Sequence, residues 1–352
     1  MRVFSLFCLS LFAFSIYAEG QPAVAEEQSF MESLKVKPYL RVKETNDFTA
    51  RKNSVEFDSS GIVIEKNVTS NLSVLFNPEF GRQSSVQGTA ITTGNDYLGF
   101  FVNEAYFTIN DLTKTYGDYG IKLTVGAYAN PNYKMEQYYQ PFRFVYKALE
   151  DKLLTNGKRD LGAMISKNFF EDRVRTSISY ITGVSSDGEF SANAGNDNIN
   201  SGASRLNVTV FPFKGMGDAV KDLSLGLNLK SVLMSVARSW YSVLLGYKYD
   251  KFTTSLEYLK SYSTNASTYV GGSSFFAAYE ILSYFQPIVR WDYTDMSATT
   301  GKRTRDDLVV MGVNTKWFDG KLQAALTYDQ EYNATTKGNI AKRLMVSTQY
   351  SY

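Results

Sequence analysis

The sequence predicts an all-β protein, a transmembrane antiparallel β-barrel of about 16 strands with an inward-folded third loop. The first observation is a series of short segments in which apolar and polar residues alternate, as in a wall with lipid on one side and water on the other. The second is that 15% of the chain is aromatic, with 25 tyrosines, which is typical of the aromatic girdles of such barrels. The third is that no stretch after residue 18 is apolar and long enough for a membrane-spanning helix.

The N-terminus has the pattern of an export signal. Met1-Arg2 is a short basic region, an apolar run extends to Tyr17, and Ile16-Tyr17-Ala18 is an acceptable cleavage site. Residues 1–18 are therefore expected to be a signal peptide. Residues 19–33 contain four glutamates and show no alternation, so we interpret them as a periplasmic N-terminal leader before a barrel over residues 34–352.

Composition excludes several kinds of enzyme site. The chain has no histidine, and its one cysteine, Cys8, lies within the predicted signal peptide. A Ser-His-Asp hydrolase and a His-ligated zinc site are thereby excluded, and the mature chain has no thiol for a disulfide. Without residues 1–18, 36 basic residues balance 35 acidic ones, so overall charge predicts no nucleic-acid partner. We expect a protein that is not an enzyme and has no cofactor and no metal.

The alternating segments give the strand count. They predict strands at 34–42, 55–64, 72–80, 100–109, 119–127, 161–169, 174–181, 206–213, 223–233, 241–249, 252–262, 274–281, 285–293, 308–317, 322–328 and 344–352. The last strand places Leu344, Val346, Thr348, Tyr350 and Tyr352 on one face. An even number of strands puts both termini at one end, and 16 strands leave room for an aqueous channel. Short turns are expected at 171–172, 250–251 and 319–320, and long polar loops at 184–203, 265–272, 297–306 and 330–342.

The segment 130–159 interrupts the alternation between the fifth and sixth strands. Irregular backbone at membrane depth is tolerated where it lines a water-filled cavity, so this third loop is expected to fold inward and constrict the lumen. A short helix is predicted over residues 142–154, with Phe144, Leu149 and Leu153 packed on the inner wall.

About 80 residues around this loop resemble a known family, the phosphate-selective porin O/P family. The resemblance runs through Asn103-Glu104-Ala105-Tyr106, residues 120–126, Asn130-Pro131, residues 159–164 and residues 180–183. It implies a trimer of 16-stranded barrels whose third loop narrows each pore, with basic side chains that draw anions, including phosphate, through the channel.

Basic residues are candidates for the ion path. Lys35, Lys37, Arg41 and Lys43 alternate with apolar residues, so they share one face at a spacing of about 7 Å and are expected to face the lumen. The remaining candidates are Arg175 and Arg290 on strands and Lys134, Arg143, Lys147 and Lys152 in the loop. Acidic neighbours in the loop leave two interpretations open: an anion-selective constriction, or an unselective pore in which the cations face carboxylates.

The sequence as a whole therefore predicts a porin of a Gram-negative outer membrane that admits small hydrophilic solutes, with inorganic anions as the preferred class in one interpretation. The expected partners are these solutes, outer-membrane lipid and two further copies of the chain in a homotrimer. The alternative is a structural or adhesive barrel without a transport role, for which larger external loops would be expected.

Overall fold

The computed structural model describes residues 34–83, 97–113, 120–142, 145, 149, 159–185, 203–217, 219–232, 238–263, 269–297, 303–333 and 338–351. The predicted signal peptide and leader, residues 1–33, lie outside the described part of the chain and stay predictions. Among the described residues, no helix has both the length and the apolar content to cross a membrane.

Sixteen antiparallel strands form a closed barrel in which each strand pairs with its sequence neighbours and the first pairs with the last. The strands are β1 (Leu34–Asp47), β2 (Lys52–Asn67), β3 (Leu72–Gln83), β4 (Tyr97–Ile109), β5 (Lys122–Ala129), β6 (Arg159–Phe169), β7 (Val174–Ser185), β8 (Ala203–Val210), β9 (Ser224–Val232), β10 (Arg238–Tyr249), β11 (Phe252–Ser263), β12 (Tyr269–Tyr279), β13 (Phe285–Ser297), β14 (Arg303–Trp317), β15 (Leu322–Asn333) and β16 (Gly338–Ser351). The predicted all-β barrel is confirmed, and each predicted strand overlaps one of these.

Several strands extend further than the alternation predicted. β12, β14 and β16 begin about five residues earlier, and β15 ends five residues later, at Asn333. The predicted long loops at 265–272, 297–306 and 330–342 were therefore too long, because part of each one is strand. The added parts are polar on both faces, as in Arg303-Thr304-Arg305-Asp306-Asp307. A strand that continues beyond a bilayer has water on both sides, so its apolar alternation disappears while its ladder persists.

The two faces of the wall differ in the way a membrane barrel requires. One face exposes large apolar side chains, among them Ile178, which is 64% exposed, with Leu256 and Met311. The opposite face carries small polar side chains such as Ser242 and Ser255, both buried. Below, these are the outer face and the lumen face, because a closed wall with an apolar exterior suits lipid outside and water inside.

The barrel end that holds Leu34 and Ser351, here the terminal end, has tight turns and many aromatic residues. Residues 170–172, 250 and 318–319 adopt positive φ in three of its turns. Phe170 and Phe318 are both more than 70% exposed there. Exposed rings beside a strand end suit the interface between hydrocarbon and water, so this rim has the composition of an aromatic girdle.

Candidate functional site

A helix, α1 (Pro131–Tyr139), follows directly after β5. The sequence prediction placed the loop helix at residues 142–154, most of which lie outside the described residues, so the helix that the structure does describe was missed. Asn130 caps it: its Oδ1 accepts a hydrogen bond from the Tyr133 backbone N–H at 2.8 Å. Proline at the first helical position needs no hydrogen bond for its nitrogen. Asn130-Pro131, which follows the last residue of β5, therefore begins a helix.

Two glycines on the lumen face form sockets for this helix. A Cβ on Gly226 would come within 2.8 Å of the Met135 sulfur, and a Cβ on Gly246 would overlap the Tyr139 ring. The Tyr139 hydroxyl donates a hydrogen bond to the Asp222 carbonyl at 2.8 Å. Burial raises the pKa of Tyr139 to about 12, so the hydroxyl keeps its proton at neutral pH. Helix α1 is thus fitted against β9 and β10 by shape.

The residues after the helix contact the opposite part of the wall. Phe142 and Val145 belong to a buried cluster with lumen-face side chains of three strands, β12, β13 and β15, and the ring centroids of Phe142 and Phe276 are 5.8 Å apart. Lys43 of β1 donates from Nζ to the Val145 carbonyl at 3.4 Å. The contacts of residues 131–145 with β9, β13, β15 and β1 therefore lie on the lumen face and are spread around much of the barrel. The course of the whole segment 130–159 stays a prediction, because most residues from 143 to 158 lie outside the described residues.

A buried polar cluster lies between the helix and the wall. Gln140 donates from Nε2 to Ser255 Oγ at 3.1 Å. Arg290 Nε lies 2.8 Å from Asp292 Oδ1, with side chains that are 7% and 1% exposed, and the Ser274 hydroxyl donates to the same oxygen at 2.7 Å. Such an ion pair is expensive to break because each partner would remain as an uncompensated charge away from water.

The basic residues of β1 share the lumen face, as their register with β2 and β16 requires, but their surroundings differ. Lys35 is exposed, whereas Lys37 lies 3.3 Å from Glu65. Arg41 donates from Nε to Gln349 Oε1 at 3.2 Å and lies 4.9 Å from the Tyr39 ring centroid. Lys43 is hydrogen-bonded to the loop. Of the four basic residues of β1, Lys35 and Arg41 have no described carboxylate within ion-pair distance.

The other predicted ion-path residues separate into three groups. Arg175 is exposed on the lumen face and lies 4.7 Å from the Phe211 ring centroid. Lys134 is exposed on α1, 5.7 Å from the Tyr106 ring centroid. Arg290 is buried and paired, so its guanidinium is not offered to a solute in this arrangement. Arg143, Lys147 and Lys152 lie outside the described residues.

Sequence reasoning missed two features of the lumen face. Arg343 Nη2 lies 2.6 Å from Asp329 and 3.4 Å from Glu331, in an ionic cluster on β15 and β16. Lys248 lies 4.9 Å from the Tyr138 ring centroid. Lys248 is two residues after Gly246 on β10, and this spacing could have indicated that both face the lumen. In the part of the chain that the structure covers, no group of three or more His, Cys, Asp or Glu residues is placed to hold a metal ion.

Comparison with known proteins rests on structure. No protein-family model matches the sequence, and no curated protein matches it either. The solved structures of similar fold include OmpF of Salmonella typhi, with a TM-score of 0.63 at 10% identity over 91% of this chain and 97% of that one. The chain has a porin fold. The anion-selective porin of Comamonas acidovorans gives 0.60 at 10% identity over 91% and 99%. OmpT of Vibrio cholerae in its trimer form gives 0.61 at 12% identity over 91% and 99%.

Proposed function

We propose that this protein forms a water-filled channel in the outer membrane of a Gram-negative cell for passive diffusion of small hydrophilic solutes. The observation that carries the proposal is a closed 16-stranded wall with exposed apolar side chains outside and polar side chains within. A barrel of this size is too wide for wall side chains alone to fill. The solved structures with a similar fold include an anion-selective porin and an outer-membrane protein, which supports the same conclusion.

We further infer that the 130–159 segment narrows this channel. Support comes from α1 in its glycine sockets, from the Phe142 cluster, and from the Lys43 hydrogen bond to the Val145 carbonyl. These contacts join wall strands that lie far apart around the barrel, which a loop on the outer face would not do. The channel needs neither a cofactor nor a catalytic base, and the chain has no histidine to act as one.

The assembly that we propose is a homotrimer in outer-membrane lipid, as the resemblance to the phosphate-selective porin O/P family implies. The trimer form recorded for OmpT of Vibrio cholerae, whose fold is similar, supports it. Membership of the O/P family itself remains part of the proposal. Analytical ultracentrifugation of the detergent-solubilised protein tests the assembly, and a monomer in mild detergent would contradict it.

The first experiment is conductance of the purified protein in a planar bilayer under a salt gradient, repeated with phosphate. Discrete open steps are expected. A reversal potential of anion-selective sign together with phosphate block would support the phosphate preference as well as the channel. Nearly unselective conductance would leave a general diffusion channel, and absence of conductance would favour the structural or adhesive alternative.

An anion preference would depend on Lys35 and Arg41. Replacing both with glutamine in Lys35→Gln/Arg41→Gln is expected to lower the anion-to-cation permeability ratio by roughly twofold to fivefold, since a unit charge contributes on the order of 1 kcal/mol at 4 Å in water and salt screens it. Reversal potentials at about 0.1 M salt measure the ratio.

Lys66→Gln is the matched control for this selectivity test. It removes a charge from β2 at a position paired with Leu34, which is on the outer face. The control should leave the permeability ratio unchanged. The same ratio in the wild type and the double variant would remove β1 from the selectivity mechanism and favour a pore in which basic and acidic groups balance.

A further inference from the structure

The C-terminal end of α1 presents an aromatic ring to the terminal end of the lumen. Tyr138 is 45% exposed, and Lys248 of β10 lies 4.9 Å from its ring centroid. The adjacent Tyr139 is fully buried, at 4.9 Å and 87° in an edge-to-face contact with Tyr138. The helix is therefore anchored by one tyrosine and holds the next in a fixed, accessible position, which lowers the entropy lost when a ligand stacks on it.

A second pair of a cation and an aromatic ring lies close by. The Arg175 guanidinium is 4.7 Å from the Phe211 ring centroid. In the register of β7 and β8, Arg175 is opposite Thr209, and the Thr209 hydroxyl contacts the Met135 sulfur at 3.3 Å. Met135 is one helical turn before Tyr138 and Tyr139, so Arg175 lies beside the same end of α1.

The charges around Tyr138 include both signs. Its pKa is raised by burial and by Asp222, and this rise is opposed by Lys221 and Arg175, so all three charges act on its hydroxyl. Asp172, which Arg175 also influences, has its pKa lowered by hydrogen bonds from Asn168 and Lys214. Lys214 pairs with Asp172 at 3.3 Å. Of the charges that act on the Tyr138 hydroxyl, Lys221 and Arg175 are cationic and Asp222 is anionic, and Lys248 adds a cation over the ring.

We propose that Tyr138, Lys248, Arg175 and Phe211 form a binding site for small aromatic carboxylates. This inference rests on the proposed channel and gives it a preferred class of solute. A carboxylate accepts two parallel hydrogen bonds from a guanidinium, while an attached ring packs on the exposed face or edge of a tyrosine. Phosphate would gain nothing from the two rings, and an aliphatic acid would gain only the charge.

The test compares current block by four probes added at the terminal end of the barrel: benzoate, cyclohexanecarboxylate, acetate and benzylamine. Benzoate is expected to block at the lowest concentration, because it alone has both a carboxylate and an aromatic ring. Tyr138→Leu should raise its half-blocking concentration by about fivefold, from loss of the aromatic contact. Arg175→Gln should raise it by about tenfold, from loss of a charge-assisted bidentate contact.

Lys260→Gln is the control, because Lys260 pairs with Tyr241 and Gly271 along the outer face. It should leave benzoate block unchanged. Equal block by benzoate, cyclohexanecarboxylate and acetate, or unchanged block in Tyr138→Leu, would overturn the aromatic site while leaving the channel intact.

The aromatic site and the channel can fail separately. If the protein does not conduct, the proposed channel fails, and calorimetric titration of the detergent-solubilised protein with benzoate then tests the site by itself. Benzoate binding that is weaker in both Tyr138→Leu and Arg175→Gln than in the wild type would support the site, and absence of binding in the wild type would overturn it.

Discussion

Replacing Tyr139 and Phe142 together with alanine is expected to raise the single-channel conductance about twofold and to add low-frequency current noise. Tyr139 fills the space above Gly246, and Phe142 packs on Phe276. Removing a buried aromatic side chain costs about 3–5 kcal/mol, so α1 and the residues after it would lose much of their attachment to the wall. A loosened segment occupies the lumen for less of the time, and conductance follows the open area.

The wall itself should remain stable in this variant. Its strands are held by a continuous ladder of backbone hydrogen bonds that neither residue contributes to. The thermal transition of the barrel is expected to change little, while trypsin should cleave the 130–158 region faster. These two measurements separate a released segment from a barrel that fails to fold.

Phe275 and Phe276 provide a matched comparison. They are neighbours on β12, but Phe276 is buried against Phe142 and Phe275 is exposed on the outer face. Phe276→Ala should reproduce part of the conductance increase, and Phe275→Ala should not. Equal conductance in the wild type and in Tyr139→Ala/Phe142→Ala would mean that the segment does not narrow the pore.

The barrel could be predicted from sequence because one physical constraint repeats along it. Wherever a strand crosses the bilayer, every second residue must be apolar, as in Leu225, Leu227 and Leu229 on β9. The strand ends could not be predicted in the same way. In Arg303–Asp307 the strand is held by backbone pairing and by polar contacts such as the Arg305–Asp295 ion pair, and no hydrophobic pattern marks it.

The side chains that face the lumen could be predicted from sequence only where they follow the same alternation. That rule predicted a shared face for Lys35, Lys37, Arg41 and Lys43, and their role in the ion path stays a prediction. The alternation could not reveal that Arg290 is covered and paired with Asp292, because burial inside a barrel depends on a loop from elsewhere in the chain. Likewise Gly246 is a socket only because Tyr139 is brought to it.

Replacing Arg290 with methionine is expected to lower the free energy of unfolding by about 3–5 kcal/mol, the cost of leaving a buried charge without its partner. Asp292 would keep only the Ser274 hydrogen bond among the contacts described here. The variant would also lose the electrostatic attraction between Arg290 and the carboxylates of Glu257 and Glu136. Urea-induced unfolding of the protein in lipid vesicles measures the change.

A double-mutant cycle with Arg290→Met, Asp292→Asn and both together isolates the pair. The double variant should be less destabilised than the sum of the single ones, because removing both charges leaves neither uncompensated. Lys214→Met is the control for an exposed pair, whose side chains are 37% and 46% exposed, and should cost at most about 1 kcal/mol. Additive effects of Arg290→Met and Asp292→Asn would mean that the two charges are solvated separately. The lumen beside Phe142 would then be open to water, which the buried contacts of the segment argue against.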